Sequence, residues 1–199
     1  KVVAWGDIDA GADISSVKDQ LETDGILQIW STTGAFFALL ENKKVVAWGD
    51  IDDGTDIDIL SVKDQLETDG ISQIWSTGGA FFALLENKKV VSWGDIGYGA
   101  DISSVKDQLE TGGISQIWST VAAFFALLEN KKVVAWGDIA YGADISSVKD
   151  QLETDGILEI WSTVAAFFAL LENKKVVAWG HTDQGLSLIH ISEPTRREG

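Results

Sequence analysis

Residues 35–49 read AFFALLENKKVVAWG, and this stretch predicts a β-hairpin. Its Ala, Leu, Glu and Lys residues favour a helix. Its Val-Val and Trp residues favour a strand, and Asn42-Lys43 lies midway between two apolar runs, as a hairpin turn does. A two-residue turn there places Glu41 opposite Lys44, which is a favourable cross-strand charge pair. We therefore expect two antiparallel strands.

The same register predicts that both faces of the hairpin are apolar. One face then carries Phe37, Leu39, Val46 and Trp48, and the other carries Phe36, Ala38, Leu40, Val45 and Ala47. A sheet with two apolar faces must be covered on both sides. A blade stacked between two other blades meets that requirement, with large side chains fitting against small ones.

The hairpin belongs to a unit of about 43 residues that recurs along the chain. Near-identical copies occupy residues 1–43, 44–88, 89–131 and 132–174, and a partial fifth copy occupies residues 175–185. A period of this length is typical of arrays in which each unit needs neighbours to bury its faces. We therefore treat residues 1–185 as one repeat region.

Each unit also contains a third strand candidate and a crossover. In the first copy the strand reads ILQIWST, and the crossover reads GDIDAGAD followed by SSVKDQLE. Ser15 or Ser16 is suited to cap a short helix that buries Val17 and Leu21 on one face. We therefore predict an all-β fold: a partial, open β-propeller of about four antiparallel blades with three or four strands each, and a short helix or turn in each crossover.

Composition narrows the class of protein and its partners. The 199 residues are 45% apolar and 23% charged, which is typical of a globular chain. There is no cysteine, so disulfides and thiolate metal sites are excluded. A net charge of −16 repels phosphate backbones and anionic lipid, so neither nucleic acid nor a membrane is an expected partner. The acidity suits either solubility or a cationic ligand.

The repeat pattern stops after Gly185. The following stretch, LSLIHISEPTR, resembles an in-frame translation of a transposase sequencing adapter. We therefore expect residues 186–199 to be a non-native, disordered tail. The tail holds equal numbers of acidic and basic residues, so residues 1–185 carry the whole net charge. Because the chain starts in mid-pattern without Met, we expect the natural N-terminus to be missing.

The order Val-Val-Ala-Trp-Gly, Gly-containing loop, Ile-x-x-Ile and Ala-Leu-Leu before a tight turn resembles the repeat of regulator-of-chromosome-condensation-like β-propellers. The short period is more similar to the bacterial β-lactamase-inhibitor propeller of that superfamily, which has three-stranded blades. The resemblance covers residues 1–185. Because such rings usually have about seven blades, it implies a fragment of a ring. It also implies guanine-nucleotide exchange as one candidate function.

Three features depart from the family pattern. Asn42-Lys43 stands where the family commonly has Asp-Gly, the Pro-free SSVKDQL replaces a Pro-containing crossover, and residues 31–35 lack a Gly-His pair. The loops that carry nucleotide exchange are not recognisable. Exchange activity therefore rests on fold-level analogy alone.

Candidate catalytic groups occur in every copy rather than once. Asp7 and Asp13 form a carboxylate pair suited to acid–base chemistry, but each full copy has an equivalent pair. Turn and cap roles explain all of these pairs together. His181 is the one His before the tail, and no Ser-His-Asp set can be assembled around it. We therefore predict no enzyme activity, no catalytic residue and no cofactor.

The acidic loop at residues 50–58 keeps a calcium hypothesis open. Its closely spaced Asp residues offer the oxygen ligands that Ca²⁺ prefers. However, the Gly and Glu positions of an EF-hand are not matched, and Asp/Gly turns also bond their own backbone. A calcium-stabilised surface or adhesive repeat protein is therefore an alternative function, with no metal ligand assigned. Most of the nine Trp residues are expected to pack between blades rather than to form a ligand platform.

Differences among the copies point to a binding surface. They cluster in the loop after Trp-Gly and at residues 33–34, 78–79, 121–122 and 164–165. Loops on a rigid scaffold tune binding, although drift in exposed loops produces the same pattern. Our principal hypothesis is a non-enzymatic module that binds an unidentified protein, and we also expect the fragment to self-associate. The predicted interaction rim consists of Asp9, Asp52, Asp53, Tyr98 and Tyr141.

Overall fold

The structure is a computed structural model that describes residues 1–50 and 56–181. Within these residues, twelve strands form four separate three-stranded antiparallel sheets, which we call blades 1 to 4. Blade 1 consists of β1 (Ile26–Ser31), β2 (Ala35–Leu40) and β3 (Val45–Gly49), and blade 2 of β4 (Ile71–Ser76), β5 (Ala80–Leu85) and β6 (Val90–Gly94). Blade 3 consists of β7 (Ile114–Ser119), β8 (Ala123–Leu128) and β9 (Val133–Gly137), and blade 4 of β10 (Ile157–Ser162), β11 (Ala166–Leu171) and β12 (Val176–Gly180).

This arrangement confirms the predicted open β-propeller and sets the number of strands at three per blade. The boundaries of the sequence repeat differ from the boundaries of the blade. The strand at residues 176–180, which we placed in a partial fifth copy, is the third strand of blade 4. Residues 2–6 have the same sequence as β3, but they belong to none of the four sheets.

The predicted hairpin register is wrong by one residue. Phe36, not Phe37, lies opposite Trp48, and Leu39 lies opposite Val45. The cause is the turn, which contains three residues instead of two: the Leu40 N–H donates to the Lys44 carbonyl at 2.9 Å. The extra residue shifts one strand against the other, so the face sets exchange members. One face carries Phe36, Ala38, Leu40, Val46 and Trp48, and the other carries Ala35, Phe37, Leu39, Val45 and Ala47.

The third residue of each hairpin turn adopts the left-handed region. Lys43 has φ 67°, and its equivalents in the other blades have similar values. Gly adopts this conformation most readily, so Lys43 stands where a hairpin turn usually has a glycine. Asn42 Oδ1 accepts the Lys44 N–H at 2.9 Å and helps to hold the turn.

A helix precedes each of the four blades, and the predicted serine caps are not present. The helices are α1 (Lys18–Asp24), α2 (Asp56–Asp69), α3 (Lys106–Gly112) and α4 (Lys149–Asp155). Val17, and neither serine, holds the cap position of α1, without a side-chain cap bond. The prediction that Leu21 is buried is confirmed at 1% exposure, whereas Val17 is half-buried. Among the described helices, none is long and apolar enough to cross a bilayer.

Packing between strands shows how the blades are arranged. The first strands of successive blades contact one another, so β1, β4, β7 and β10 lie innermost. Helices α2, α3 and α4 pack against the third strand of the preceding blade, at the periphery. Both faces of the inner blades are buried, as the two-faced hairpin pattern predicted.

One aromatic arrangement recurs at each of the three blade–blade interfaces. The second Phe of one blade meets the first Phe and the Trp of the next blade. Phe37 lies 5.9 Å from Phe81 and 4.9 Å from Trp93 between ring centroids. The equivalent distances from Phe82 are 6.0 and 4.9 Å, and those from Phe125 are 5.8 and 5.0 Å. Blade stacking is therefore a repeated contact between the same residue types.

Candidate interaction rim

Two kinds of turn meet at one end of every blade. The Asp50 N–H donates to the Gly34 carbonyl at 2.8 Å, which joins the loop after Trp-Gly to the turn between the first two strands. The Asp95–Gly79, Asp138–Ala122 and His181–Ala165 bonds repeat this link at 2.8 to 2.9 Å. We call this end the variable rim, because both clusters of differences among the copies fall on it. It comprises residues 7–12, 32–34, 77–79, 95–100, 120–122, 138–143 and 163–165.

The first Asp of each described loop binds the backbone of its own turn. Asp7 Oδ1 accepts the Asp9 N–H at 3.0 Å. Asp95 and Asp138 accept the N–H two residues further on at 2.7 and 2.8 Å. These bonds support the turn role over a catalytic role for the repeated carboxylates, because each first carboxylate already orders its loop.

The second Asp of each loop orders the entry to the crossover. Asp13 Oδ1 accepts the Ser15 N–H at 2.9 Å. Asp101 and Asp144 make the same bond to Ser103 and Ser146. Hydrogen bonds from the serine side chain, and then from its backbone, lower the pKa of each of these three carboxyls below its usual value. Each carboxylate is therefore held in its ionised form.

An isoleucine is exposed at the tip of each described loop. Ile8, Ile96 and Ile139 are 70%, 77% and 74% exposed. The short turns that carry them are Ile8–Ala12, Ile96–Tyr98 and Ile139–Tyr141. Asp-Ile follows every Trp-Gly except the last, so differences among the copies do not reveal these residues. A β-branched apolar residue that persists inside a Gly-rich loop was the available signal.

The residues of the predicted rim lie in different environments. Asp9 is exposed on the variable rim. Tyr98 and Tyr141 are half-buried, their rings pack against blade interfaces, and their carbonyls accept the Thr77 and Thr120 hydroxyls at 2.8 and 2.9 Å. Asp52 and Asp53 lie outside the described residues. The described members stand on separate loops, and each tyrosine contributes to packing as well as to the surface.

The calcium hypothesis falls mainly on residues that the structure does not describe. Most of the loop at residues 50–58 lies outside the described residues, as does the adapter-like tail. Across residues 1–50 and 59–181, no group of three or more His, Cys, Asp or Glu side chains could hold a metal ion. His181 lies at the end of blade 4, where its backbone N–H binds the Ala165 carbonyl.

The Trp residues of the third strands fill the core, as predicted. Trp48, Trp93, Trp136 and Trp179 are at most 8% exposed. Trp48 Nε1 donates to the Gly11 carbonyl at 3.0 Å, and the Trp of blades 3 and 4 make equivalent bonds. These bonds tie the loops at residues 7–12, 95–100 and 138–143 to the blade that follows each of them.

The opposite end of the blades carries the hairpin turns and does not vary. The sequence Glu-Asn-Lys-Lys is identical in all four turns, and these residues are exposed. The Glu41 N–H binds the Gly25 carbonyl at 3.1 Å, and the same link recurs in the other blades. Variation and exposed apolar loop tips therefore coincide on one end of the molecule.

Comparisons with known proteins support the fold. No family model matches the chain, and no curated protein matches it in sequence. Prp20p of Saccharomyces cerevisiae, whose structure is described with its binding to Gsp1p and histones, has a TM-score of 0.54 at 19% identity, covering 80% of this chain and 45% of that chain. The ectodomain of the Physcomitrella patens receptor kinase CR4 has a TM-score of 0.51 at 13% identity, covering 78% and 39%.

The chain thus spans less than half the length of these two structures. A further structure is that of yeast RCC1 (Prp20) bound to Kap60, with a TM-score of 0.52 at 19% identity and coverage of 80% and 44%. At these identities the likeness concerns the fold. The chain therefore has the fold of RCC1-like β-propellers and presents four of their blades.

Proposed function

We propose that this chain is a non-enzymatic interaction module that binds another protein through the variable rim. The observation that carries the proposal is the set of exposed tips Ile8, Ile96 and Ile139 on loops anchored to the blades. Burying one such side chain against a partner contributes about 1.5–3 kcal/mol. Because the carboxylate bonds already order the loops, little ordering entropy is lost on binding.

The charge of the chain indicates the chemistry of the partner. Each Ile tip directly follows an Asp, and the chain as a whole carries −16. A partner surface with apolar sockets surrounded by Lys and Arg complements this pattern, and its positive charge speeds encounter at low salt. We therefore expect a basic protein surface rather than a nucleic acid or an anionic membrane.

The neighbouring structures support the same class of function. The structure of Prp20p is described with its binding to Gsp1p and histones, and that of yeast RCC1 with Kap60. These are protein partners of proteins with the same fold. For this chain, nucleotide exchange remains an inference from fold analogy. No described contact favours exchange or calcium binding over a general interaction role.

The test compares partner capture by matched variants. In the rim variant, Ile8, Ile96 and Ile139 are each replaced by Ser. In the control, the exposed Leu27 and Leu158 are replaced by Ser, the residue that blades 2 and 3 have at the same position. We expect basic proteins cross-linked by the wild-type chain to be retained by the control and lost by the rim variant.

Two results would contradict the proposal. One is an unchanged set of captured proteins with the rim variant. The other is substrate turnover by the wild-type chain that disappears after a single Asp→Asn substitution, since a reactive carboxylate would make the chain an enzyme.

A further inference from the structure

A groove lies on the variable rim, where the loops at residues 95–100 and 138–143 line one cavity together with the end of β9. Its volume is about 330 Å³. This size is at the lower end of cavities that hold small ligands, and it is sufficient for one long side chain of a partner. The apolar side chains that line the groove are Ile96, Ile139, Ala135 and Trp136.

Both loops of the groove are fixed to blade 3. Trp136 Nε1 donates to the Gly99 carbonyl at 3.2 Å, which holds the first loop on this blade. The second loop is held by the Asp138 N–H, which donates to the Ala122 carbonyl at 2.9 Å. Blade 3 is the blade whose two rim loops lie wholly within the described residues. The groove is therefore formed before a partner binds, and little ordering entropy is lost when it is filled.

One ionised carboxylate lines the groove. Asp101 is exposed, and its Oδ1 accepts the Ser103 N–H at 2.9 Å. Hydrogen bonds from the side chain and then the backbone of Ser103 lower the pKa of this carboxyl, so it keeps its charge at neutral pH. A carboxylate has about four acceptor sites on its two oxygens, so Asp101 can accept a further donor. None of the described residues that line the groove is Lys or Arg.

The charges of the chain are separated between the two ends of the blades. The sequence of the variable rim contains no Lys or Arg, whereas each hairpin turn at the opposite end contains two lysines. The aspartates within the rim are Asp7, Asp9, Asp95 and Asp138. The rim is therefore a region of negative potential on a chain of net charge −16, and it attracts cationic groups.

We propose that this groove binds a lysine side chain of the protein partner, an inference that rests on the proposed interaction function of the rim. The carbon stem of the lysine lies between Ile96 and Ile139, and its ammonium group reaches Asp101. Lysine combines an apolar stem with a charged head, which matches apolar walls beside a carboxylate. Arginine is a poorer match, because its guanidinium fork binds both oxygens of a carboxylate and Asp101 Oδ1 already accepts Ser103.

Peptide titrations of the full chain test the proposal. The probe is acetyl-Gly-Leu-Lys-Leu-Gly-amide, and its matched control contains norleucine in place of Lys, which keeps a similar carbon stem and removes the ammonium group. Chemical shifts of the isotope-labelled chain, measured by NMR at low salt, give the affinity of each peptide. We expect the lysine peptide to bind about five-fold more tightly, which is the size of effect expected for a partly exposed ion pair.

Matched substitutions locate the interaction within the rim. Asp101→Asn should abolish the preference for lysine, and Asp13→Asn should retain it. Both changes remove one negative charge and alter the same type of turn, but Asp13 does not line the groove. Ile139→Ser should weaken both peptides about ten-fold because the stem loses an apolar contact, whereas Leu158→Ser should weaken neither. Circular dichroism verifies folding, and Asp101→Ser, which can keep the turn bond, replaces Asp101→Asn if that variant does not fold.

The outcomes separate this inference from the proposed function. No binding of either peptide, equal affinities for the wild-type chain, or a lysine preference that survives in Asp101→Asn would overturn the lysine groove, even if the rim variant loses its captured proteins. A preference that falls equally in Asp101→Asn and Asp13→Asn would also overturn it, because general attraction to an acidic chain predicts that result. Unchanged protein capture by the rim variant would instead contradict the proposed function, and with it the assignment of a protein partner to the groove.

Discussion

The five residues Val-Val-Ala-Trp-Gly occur at residues 2–6 and again in β3, and they have different structures in the two places. In β3 they pair with β2, and Trp48 is 8% exposed. At the start of the chain they pair with no strand among the described residues, and Trp5 is 85% exposed. The sequence is the same, so the difference comes from the neighbouring strand and blade. These five residues therefore form a strand only where a neighbouring strand and blade are present.

The largest expected effect is at Trp136, which is the equivalent in blade 3 of the buried Trp48. Trp136→Ala removes the ring that packs against Phe82 and Phe124, and should lower the free energy of unfolding by about 3–5 kcal/mol. Trp5→Ala is the matched control and should change it by less than about 0.5 kcal/mol, because an exposed side chain makes few contacts. Chemical denaturation measures both. Equal losses would mean that residues 2–6 are packed like a third strand.

A smaller effect isolates the close approach of two backbones. A Cβ added at Gly94 would lie 2.9 Å from Ala80 Cα, whereas one added at Gly6 meets nothing nearer than the Ala12 Cβ at 4.0 Å. Both glycines have positive φ, so conformational strain is common to the two. We expect Gly94→Ala to cost about 2 kcal/mol more than Gly6→Ala in denaturation. Similar losses would assign the glycine requirement to φ alone.

The smallest expected effect concerns the carboxylate–serine turns, whose structure does not depend on neighbouring blades. Asp13 stands in the first crossover and Asp101 in an inner one, yet both bind the following serine and both have a lowered pKa. Since the folded pKa lies below the unfolded one, this stabilisation is present above the unfolded pKa and is lost as pH falls through the folded pKa.

Asp13→Asn and Asp101→Asn should therefore reduce, by the same amount, the loss of stability that occurs as the pH is lowered. Thermal melts between neutral and acidic pH measure the slope. A larger change for Asp101 than for Asp13 would show that the turn is not purely local.

The sequence repeat made the fold predictable. Local backbone geometry, which the sequence does not show, decided the hairpin register and the helix caps. The period, the two apolar faces of residues 35–49 and the short helix were sufficient to predict an open propeller. The hairpin register could not be predicted in the same way, because Asn42-Lys43 resembles a two-residue turn unless Lys43 is known to adopt positive φ. The serine caps failed because Asp13 binds Ser15 before the helix begins. The exposed isoleucines went unnoticed because the contrast among copies carries no information about a residue that stays the same.

Amide hydrogen exchange tests most directly whether the stack, rather than local sequence, forms the strand. The same five residues serve as their own control in one sample, at a protein concentration at which sedimentation shows a monomer. We predict rapid exchange at residues 2–6 and strong protection of β9, which has the same sequence and lies in a blade covered on both faces. Equal protection of residues 2–6 and β9 in the monomer would contradict the account.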